Sequence, residues 1–282
     1  MYEQTLKYIA ETLLKSGVDV SSPGLLHGKT GLVIFFFHYA RYTGNHSFED
    51  HAMALMERIQ EQIQQQHVID YTDGIAGIGT AIEYLAQNNF VDADTNEILE
   101  EFDKQIFLET VYRNRKDVSL FTGLSGLGRY FLFRVMGRYV DDNRTGTLNN
   151  KMSLIHILDT FYRMYTSFNR KEIEEALGFL YTMNQTDIYP TKVKRLMELL
   201  TAGSLSSDQD DITRQHQRKI TEFYSSKYGE LLTICRQRHC EGDSLKQSIS
   251  DTVPGLYGGL AGIGLYLLSQ LDKQHETWMN LL

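Results

Sequence analysis

The sequence has few cysteines and few prolines. Its 282 residues include two Cys, Cys235 and Cys240, and three Pro. Two thiols do not indicate a disulfide framework, so a cytoplasmic protein is expected. Few alternating apolar runs and no Asn-Gly hairpin between β-branched stretches are present, so strands are not predicted. The chain is therefore predicted to be nearly all helix.

Excess positive charge and long apolar runs are also absent. The net charge is −8, which disfavours binding to the phosphate backbone of a nucleic acid. The longest purely apolar run, residues 32–37, is far too short to cross a membrane. We therefore expect neither a nucleic-acid partner nor membrane insertion.

One glycine phrase is written four times. It reads HGKTG at residues 27–31, DGIAGIG at 73–79, TGLSGLG at 122–128 and GGLAGIG at 258–264. The first glycine of the pair moves by 46 residues from Gly28 to Gly74 and by 49 to Gly123. Repeats at such a period indicate an array of similar supersecondary units.

Each phrase opens a run with the apolar spacing of a helix. The runs at 25–42, 75–86, 124–139 and 260–271 are strongly apolar, which is typical of buried helices. The runs at 47–66, 93–112 and 151–165 carry a polar face, which in the second of them includes Asp103. The alternation predicts inner helices followed by outer helices.

The phrase is lost between Gly123 and Gly259, a distance of 136 residues that is close to three further steps of about 45. Helical patterns continue there at 171–183, 192–200 and 212–236. We predict a single domain over residues 1–282 with about six helical hairpins. Clear repeats are expected at 24–42, 70–88, 119–139 and 255–271, and degenerate units at about 165–250.

Glycine at the start of four helices has two explanations. It lets the entering chain adopt a positive φ and lets backbones approach closely. Four such starts would gather helix N-termini, with their partial positive charge and unpaired N–H groups, into a floor suited to anions or carbonyls. The alternative is that the glycines serve only packing and turns.

The glycine phrases and the helix alternation resemble the lanthionine synthetase C-like (LanC-like) family. Residues 27–32 look like the family's first repeat, and 73–79 and 122–128 like its next ones. Residues 255–264 are similar to its closing repeat, and WMNLL at 278–282 to its C-terminus. The resemblance covers 20–140 and 250–282. It implies an α/α toroid, in which an inner ring of helices lies inside an outer ring.

Bacterial members of that family cyclise ribosomally made peptides. A zinc ion held by two Cys and one His activates a substrate thiol, which adds to a dehydrated Ser or Thr. The Trp-Cys and Cys-His-Gly phrases that carry those ligands are missing from this sequence. No metal or other cofactor is therefore expected, although Cys235, His239 and Cys240 could form a rearranged zinc site.

The catalytic candidates precede the glycine pairs. His27 is a candidate general base or substrate ligand, with helix capping or packing as the alternative. Asp70 stands four residues before Gly74, at the offset of an Asp that the resemblance implies to be catalytic. Asp73, directly before Gly74, is the third candidate, and an N-cap role is its alternative.

The substrate-binding candidates are Lys29, Glu83, Arg129 and Tyr257. Lys29 lies at a helix start, where it could attract a carboxylate or phosphate. Glu83 and Arg129, like Arg134, project from apolar inner helices and either line a cavity or pair inside the ring. Tyr257 belongs to the closing repeat, and tyrosine suits an amphipathic binding surface.

Three functions are compatible with these features. The leading hypothesis is a zinc-less LanC-like protein that binds a precursor peptide or a peptide-maturation enzyme as an accessory in thioether peptide formation. The second is an active zinc-dependent cyclase with a rearranged site at Cys235, His239 and Cys240. The third is a carbohydrate-active α/α-barrel enzyme, in which Asp70, Asp73 and Glu83 would supply the two carboxylates that glycosidases use.

Overall fold

The structure is a computed structural model that describes residues 2–63, 68–137, 145–201, 209–237, 249 and 252–282. The regular structure of these residues is helical and includes no β-strand, which confirms the all-α prediction. The chain forms two compact units, one of residues 1–66 with 217–282 and one of residues 67–216.

Along the chain, helices that are buried over most of their length alternate with amphipathic helices. Those of the first half are α1 (Tyr2–Ser16), α2 (Lys29–Thr43), α3 (His46–Ile63), α4 (Ile75–Gln87), α5 (Thr95–Ile98) and α6 (Glu100–Tyr112). Those of the second half are α7 (Leu124–Val135), α8 (Thr145–Met164), α9 (Arg170–Met183), α10 (Pro190–Thr201), α11 (Gln209–Gln237) and α12 (Leu260–Leu271). The described residues also form 3-10 helices at Gly17–Asp19, Tyr165–Ser167 and Lys273–Leu281.

In the first unit, α2 and α12 are the inner helices. Every residue of 29–40 and of 260–269 is buried, and the two helices pack against each other. The amphipathic helix α3 packs along α2 and buries only Ala52, Leu55 and Ile59, while α1 packs on α12. The predicted pairing of an inner helix with an outer one is confirmed here.

The second unit repeats this arrangement. Helices α4 and α7 are buried along most of their length and pack together. Helix α8 packs on α7 and on α6. Helix α9 packs against α7 with α10 beside it, so α9 takes the inner position although no glycine phrase opens it. Its start is instead a capping box, in which Asn169 and Glu172 satisfy each other's backbone N–H groups.

Several predicted boundaries are wrong. The inner helix predicted to end at residue 139 ends at Val135, and the outer helix predicted from residue 151 begins at Thr145. The first inner helix begins at Lys29 rather than at residue 25, because residues 25–28 belong to the loop that enters the helix. The outer segment predicted at 93–112 is two helices, α5 and α6, which meet at Leu99 with φ −99 and ψ 7. Apolar spacing alone shows neither the loop at residues 25–28 nor the break at Leu99, because apolar residues continue the helical register at both places.

The C-terminal segment is a 3-10 helix against α12. Its Trp278 is fully buried and donates its indole N–H to the hydroxyl of Ser269 at 3.0 Å. Among the described residues, no helix has both the length and the apolar character needed to cross a membrane.

Candidate functional site

The backbone ahead of each glycine-led helix folds in the same way, and we call these four segments the entry loops. The first helical N–H donates to the carbonyl seven residues earlier in Lys29 to Ser22 (2.9 Å), Ile75 to Val68 (3.0 Å), Leu124 to Asp117 (2.8 Å) and Leu260 to Val253 (2.8 Å). The protein's own carbonyls therefore occupy these N–H groups. The floor of unpaired helix N-termini, one of the two explanations for the glycines, is therefore not found at these positions.

Close approach, and not a positive φ, requires glycine at these helix starts. The N-cap glycines Gly28, Gly74, Gly123 and Gly259 have φ between −113 and −96 and an extended ψ, which other residues also adopt. A Cβ at any of them would lie 2.4–2.5 Å from backbone atoms of its own entry loop. The expected positive φ is wrong at these four N-cap positions, and the expected close backbone approach is confirmed there.

Neighbouring entry loops join by one repeated contact in each unit. In the second unit, the N–H of Thr72 donates to the carbonyl of Phe121 at 3.2 Å. In the first unit, the N–H of Tyr257 donates to the carbonyl of Leu26 at 2.9 Å. The second bond brings two predicted site residues together, because His27 follows Leu26 directly.

His27, Tyr257 and Phe223 form a surface that we call the aromatic platform. The rings of His27 and Tyr257 meet edge to face with centroids 6.3 Å apart, and Phe223 of α11 stacks on Tyr257 at 5.3 Å. His27 is exposed, and the other two are half-buried. The ammonium of Lys227 lies 6.0 Å from the Phe223 ring centre and 2.9 Å from a carboxylate oxygen of Glu230.

Tyr224 supports the platform from below. Its buried hydroxyl donates to the carbonyl of Leu256 at 2.7 Å and accepts from the N–H of Gly258 at 3.4 Å. Burial raises the pKa of this hydroxyl well above its usual range, so it stays protonated. Gly258 has φ +69, a left-handed conformation that favours glycine. These contacts fix the loop that carries Tyr257.

Sequence reasoning missed Phe223 and Tyr224. They lie in the region from which the glycine phrase is absent, and the helical pattern there gave no reason to single them out. Two adjacent aromatic residues in an otherwise polar helix were the available signal, because adjacent positions on a helix point in directions about 100° apart. One ring therefore reaches the platform and the other reaches the core.

Lys29 is buried at the start of α2, directly after the entry loop that carries His27. Its amine binds residues that are not part of the aromatic platform. The Nζ atom donates to the side-chain oxygen of Gln62 at 2.9 Å and to the carbonyl of Ser21 at 3.3 Å. Burial and the nearby positive charge of Arg58 lower the pKa of this amine. Lys29 thereby ties the loop before α2 to the end of α3.

Asp70 and Asp73 lie together in the entry loop of α4. One carboxylate oxygen of Asp70 accepts the N–H groups of Asp73 at 2.9 Å and of Gly74 at 3.1 Å. The N-cap of α4 is Gly74, so Asp73 does not cap this helix. The carboxylate of Asp70 thus holds the shape of its own loop, an Asx-type role.

Glu83 belongs to a buried ion cluster with Arg134 and Asp103. The Arg134 guanidinium lies 2.6 Å from a Glu83 oxygen and 2.9 Å from an Asp103 oxygen, and Tyr130 donates to Asp103 at 2.6 Å. Burial opposes the charge of Arg134, but the hydrogen bonds and charge of Asp103 raise its pKa overall. Of the two roles considered for Glu83 and Arg134, lining a cavity or pairing with each other, the structure shows the pairing. The prediction that Asp103 faces solvent is wrong, because it is only 5% exposed.

Arg129 is buried beside Tyr71 in the second unit. Burial lowers the pKa of the guanidinium. Burial also raises the pKa of Tyr71 to about 12, while Arg129 and a hydrogen bond with Thr80 act in the opposite direction. Arg129 is therefore a buried basic side chain inside the second unit, next to a tyrosine that stays neutral at neutral pH.

The candidate ligands of a rearranged zinc site are Cys235, His239 and Cys240. The side chain of Cys235 and the whole of His239 and Cys240 lie outside the described residues. The described residues contain no cluster of three or more His, Cys, Asp or Glu that could hold a metal ion. The donor phrases themselves are missing from the sequence, so we derive no chemical step through a metal.

One comparison with known proteins is positive. The family model described as lanthionine synthetase C-like protein matches residues 19–135, which span the first three entry loops and the inner helices that follow them. The comparison with curated proteins found no match for the chain.

Proposed function

We propose that this chain, which belongs to the lanthionine synthetase C-like family through residues 19–135, is a zinc-free accessory protein that binds a precursor peptide in thioether peptide maturation. The observation that carries the proposal is the aromatic platform of His27, Tyr257 and Phe223. It combines a residue of the first repeat, a residue of the closing repeat and a residue of α11 in one partly exposed surface.

The chemistry of the platform suits a peptide. Half-exposed Tyr and Phe rings gain free energy when a ligand covers them, and Tyr and His also offer polar edges to amide groups. The loop that carries Tyr257 is already ordered by the hydrogen bonds to Leu26 and Tyr224, so binding costs little further ordering. Lys227 lies at the edge of the platform, where its ammonium is paired with the carboxylate of Glu230.

Within this proposal, His27 and Tyr257 contact the ligand, while Asp70 and Glu83 maintain the second unit. An Asp70 oxygen already accepts two backbone N–H groups, and an oxygen of Glu83 is bound to Arg134. Neither carboxylate is presented in the way a glycosidase acid or nucleophile requires. The carbohydrate-active alternative therefore gains no support from these groups.

Loss of the Tyr257 ring is expected to weaken peptide binding by at least about tenfold, the effect of removing a central aromatic contact. Peptides that bind wild type are first selected from a displayed library of Ser-, Thr- and Cys-rich sequences. The affinity of one dye-labelled selected peptide is then measured by titration with wild type, Tyr257→Ala, Phe223→Ala and His27→Ala. Tyr189→Ala is the matched control, because Tyr189 is an exposed tyrosine of the second unit.

The proposal fails if no peptide is enriched, or if an enriched peptide binds Tyr257→Ala and Tyr189→Ala equally well. A third outcome is that no peptide binds, but a peptide-maturation enzyme binds wild type and does not bind Tyr257→Ala. The partner would then be that enzyme and not a precursor peptide.

Zinc removal is expected to leave peptide binding unchanged. Elemental analysis of protein purified without chelator should give far less than one zinc per chain, and chelator treatment should not alter the peptide affinity. One zinc per chain that disappears in Cys235→Ser or Cys240→Ser would contradict the zinc-free proposal and support a rearranged cyclase site.

A further inference from the structure

Two buried histidines contact each other in the first unit. The Nδ1 atom of His38 in α2 lies 2.8 Å from the Nδ1 atom of His275 in the C-terminal 3-10 helix. The two residues are 1% and 0% exposed. Because the contact is a hydrogen bond between two imidazoles, one Nδ1 must carry a proton and the other must be bare.

The contact begins a chain of interactions through the C-terminal segment. The carbonyl of His275 accepts from the hydroxyl of Ser269 at 3.1 Å, and that hydroxyl accepts from the indole of Trp278 at 3.0 Å. The Trp278 ring packs edge to face against Tyr224 at 5.2 Å. Tyr224 in turn supports the loop of the aromatic platform, so the histidine pair and the platform lie at opposite ends of one connected set.

The charged groups around the pair act in opposite directions on its protonation. Arg41 of α2 faces both rings and opposes positive charge, whereas Asp272, at the end of α12, faces His275 and favours it. Tyr42 of α2 packs edge to face against His275 at 6.1 Å, and its hydroxyl donates to Glu3 of α1 at 3.4 Å.

Burial governs the balance between these charges. It holds the pKa of His38 well below the ordinary value of 6.5, and it lowers the pKa of His275. The Nε2 atom of His275 is buried and has no hydrogen-bond partner among the described residues, so a charge there would be poorly compensated.

We propose that the pair of His38 and His275 is a pH-sensitive clasp, which holds the C-terminal segment at neutral pH and releases it in acid. When both rings are protonated, two N–H groups face each other and the hydrogen bond is lost. In the released state the two imidazoles have their ordinary pKa, which is higher than in the clasped state, so acid favours release. The clasped state is therefore fully stable above about pH 6.5 and loses stability as the pH falls below that value. This inference does not depend on the proposed function.

Trp278 is the chain's single tryptophan and reports on the clasp without any ligand. The experiment follows its emission and its quenching by iodide in the whole protein between about pH 8 and pH 5. We expect a red shift and severalfold stronger quenching, with a midpoint below pH 6.5 and an unchanged far-UV helix signal. The double variant His38→Asn/His275→Asn should show no such transition.

His46→Asn is the matched control, because His46 lies on α3 with a side chain 87% exposed and should leave the transition unchanged. Flat emission and quenching in wild type would overturn the proposal, whether or not the double variant folds. The same transition in the double variant, or a loss of helix signal at the same midpoint, would overturn it as well.

Discussion

Replacing Arg134 by methionine is expected to lower the free energy of unfolding by about 3–5 kcal/mol. The guanidinium lies 2.6 Å from Glu83 and 2.9 Å from Asp103, and it is 5% exposed. Methionine preserves much of the apolar stem but leaves two buried carboxylates without a counter-charge. Urea denaturation of wild type and variant at neutral pH measures the difference.

Arg195→Met is the matched control for this prediction. Arg195 pairs with Glu198 at 3.0 Å, but both side chains are more than half exposed, so its loss should change the free energy of unfolding far less than the loss of Arg134. Equal effects of the two substitutions would contradict the interpretation. A second comparison separates charge from packing: the triple variant Glu83→Leu/Asp103→Leu/Arg134→Met should recover part of the lost stability, because it removes the stranded carboxylates along with their partner.

The ion cluster also shows why part of the structure could not be predicted from sequence. Apolar spacing predicted the inner helices α4 and α7 well, because burial of one helix face leaves a local periodic pattern. The same reasoning put Asp103 on the solvent face of α6, since an acidic residue in a polar helix is usually exposed. Its partner Arg134 lies 31 residues away on another helix, and only the packing of α6 near α7 brings them together.

The candidate site likewise has a part that local sequence patterns predict and a part that depends on long-range packing. The glycine phrase identified His27 and Tyr257 as candidates, because both flank glycines of the repeat. Their contact with each other, and with Phe223, depends on the bond between the Tyr257 N–H and the Leu26 carbonyl, which joins segments more than 200 residues apart. Local patterns carry no information about which repeats become neighbours. The reason for the glycines was likewise hidden, because it lies in the fold of the entry loops.

Replacing Gly126 by alanine is expected to lower the free energy of unfolding by about 3 kcal/mol, the upper end of the usual cost of overpacking. A Cβ at this position would lie 2.1 Å from the carbonyl oxygen of Leu120 and 2.7 Å from the Cβ of Tyr71. Neither neighbour is the flexible end of a side chain. Both the entry loop of α7 and the adjoining entry loop of α4 would therefore have to shift, and thermal and urea unfolding should both report the loss.

Gly178→Ala is the matched control for Gly126→Ala, since both glycines lie within helices of the second unit. Apart from the local backbone of its own helix, no described atom lies within 4 Å of the Cβ position at Gly178, so alanine there should stabilise the protein by about 0.5–1 kcal/mol through its higher helix propensity. Opposite signs for the two substitutions would show that the repeated glycines are required by the contact between neighbouring entry loops. If Gly126→Ala were stabilising as well, that contact could not be what fixes glycine in the repeat, and helix propensity alone would describe both positions.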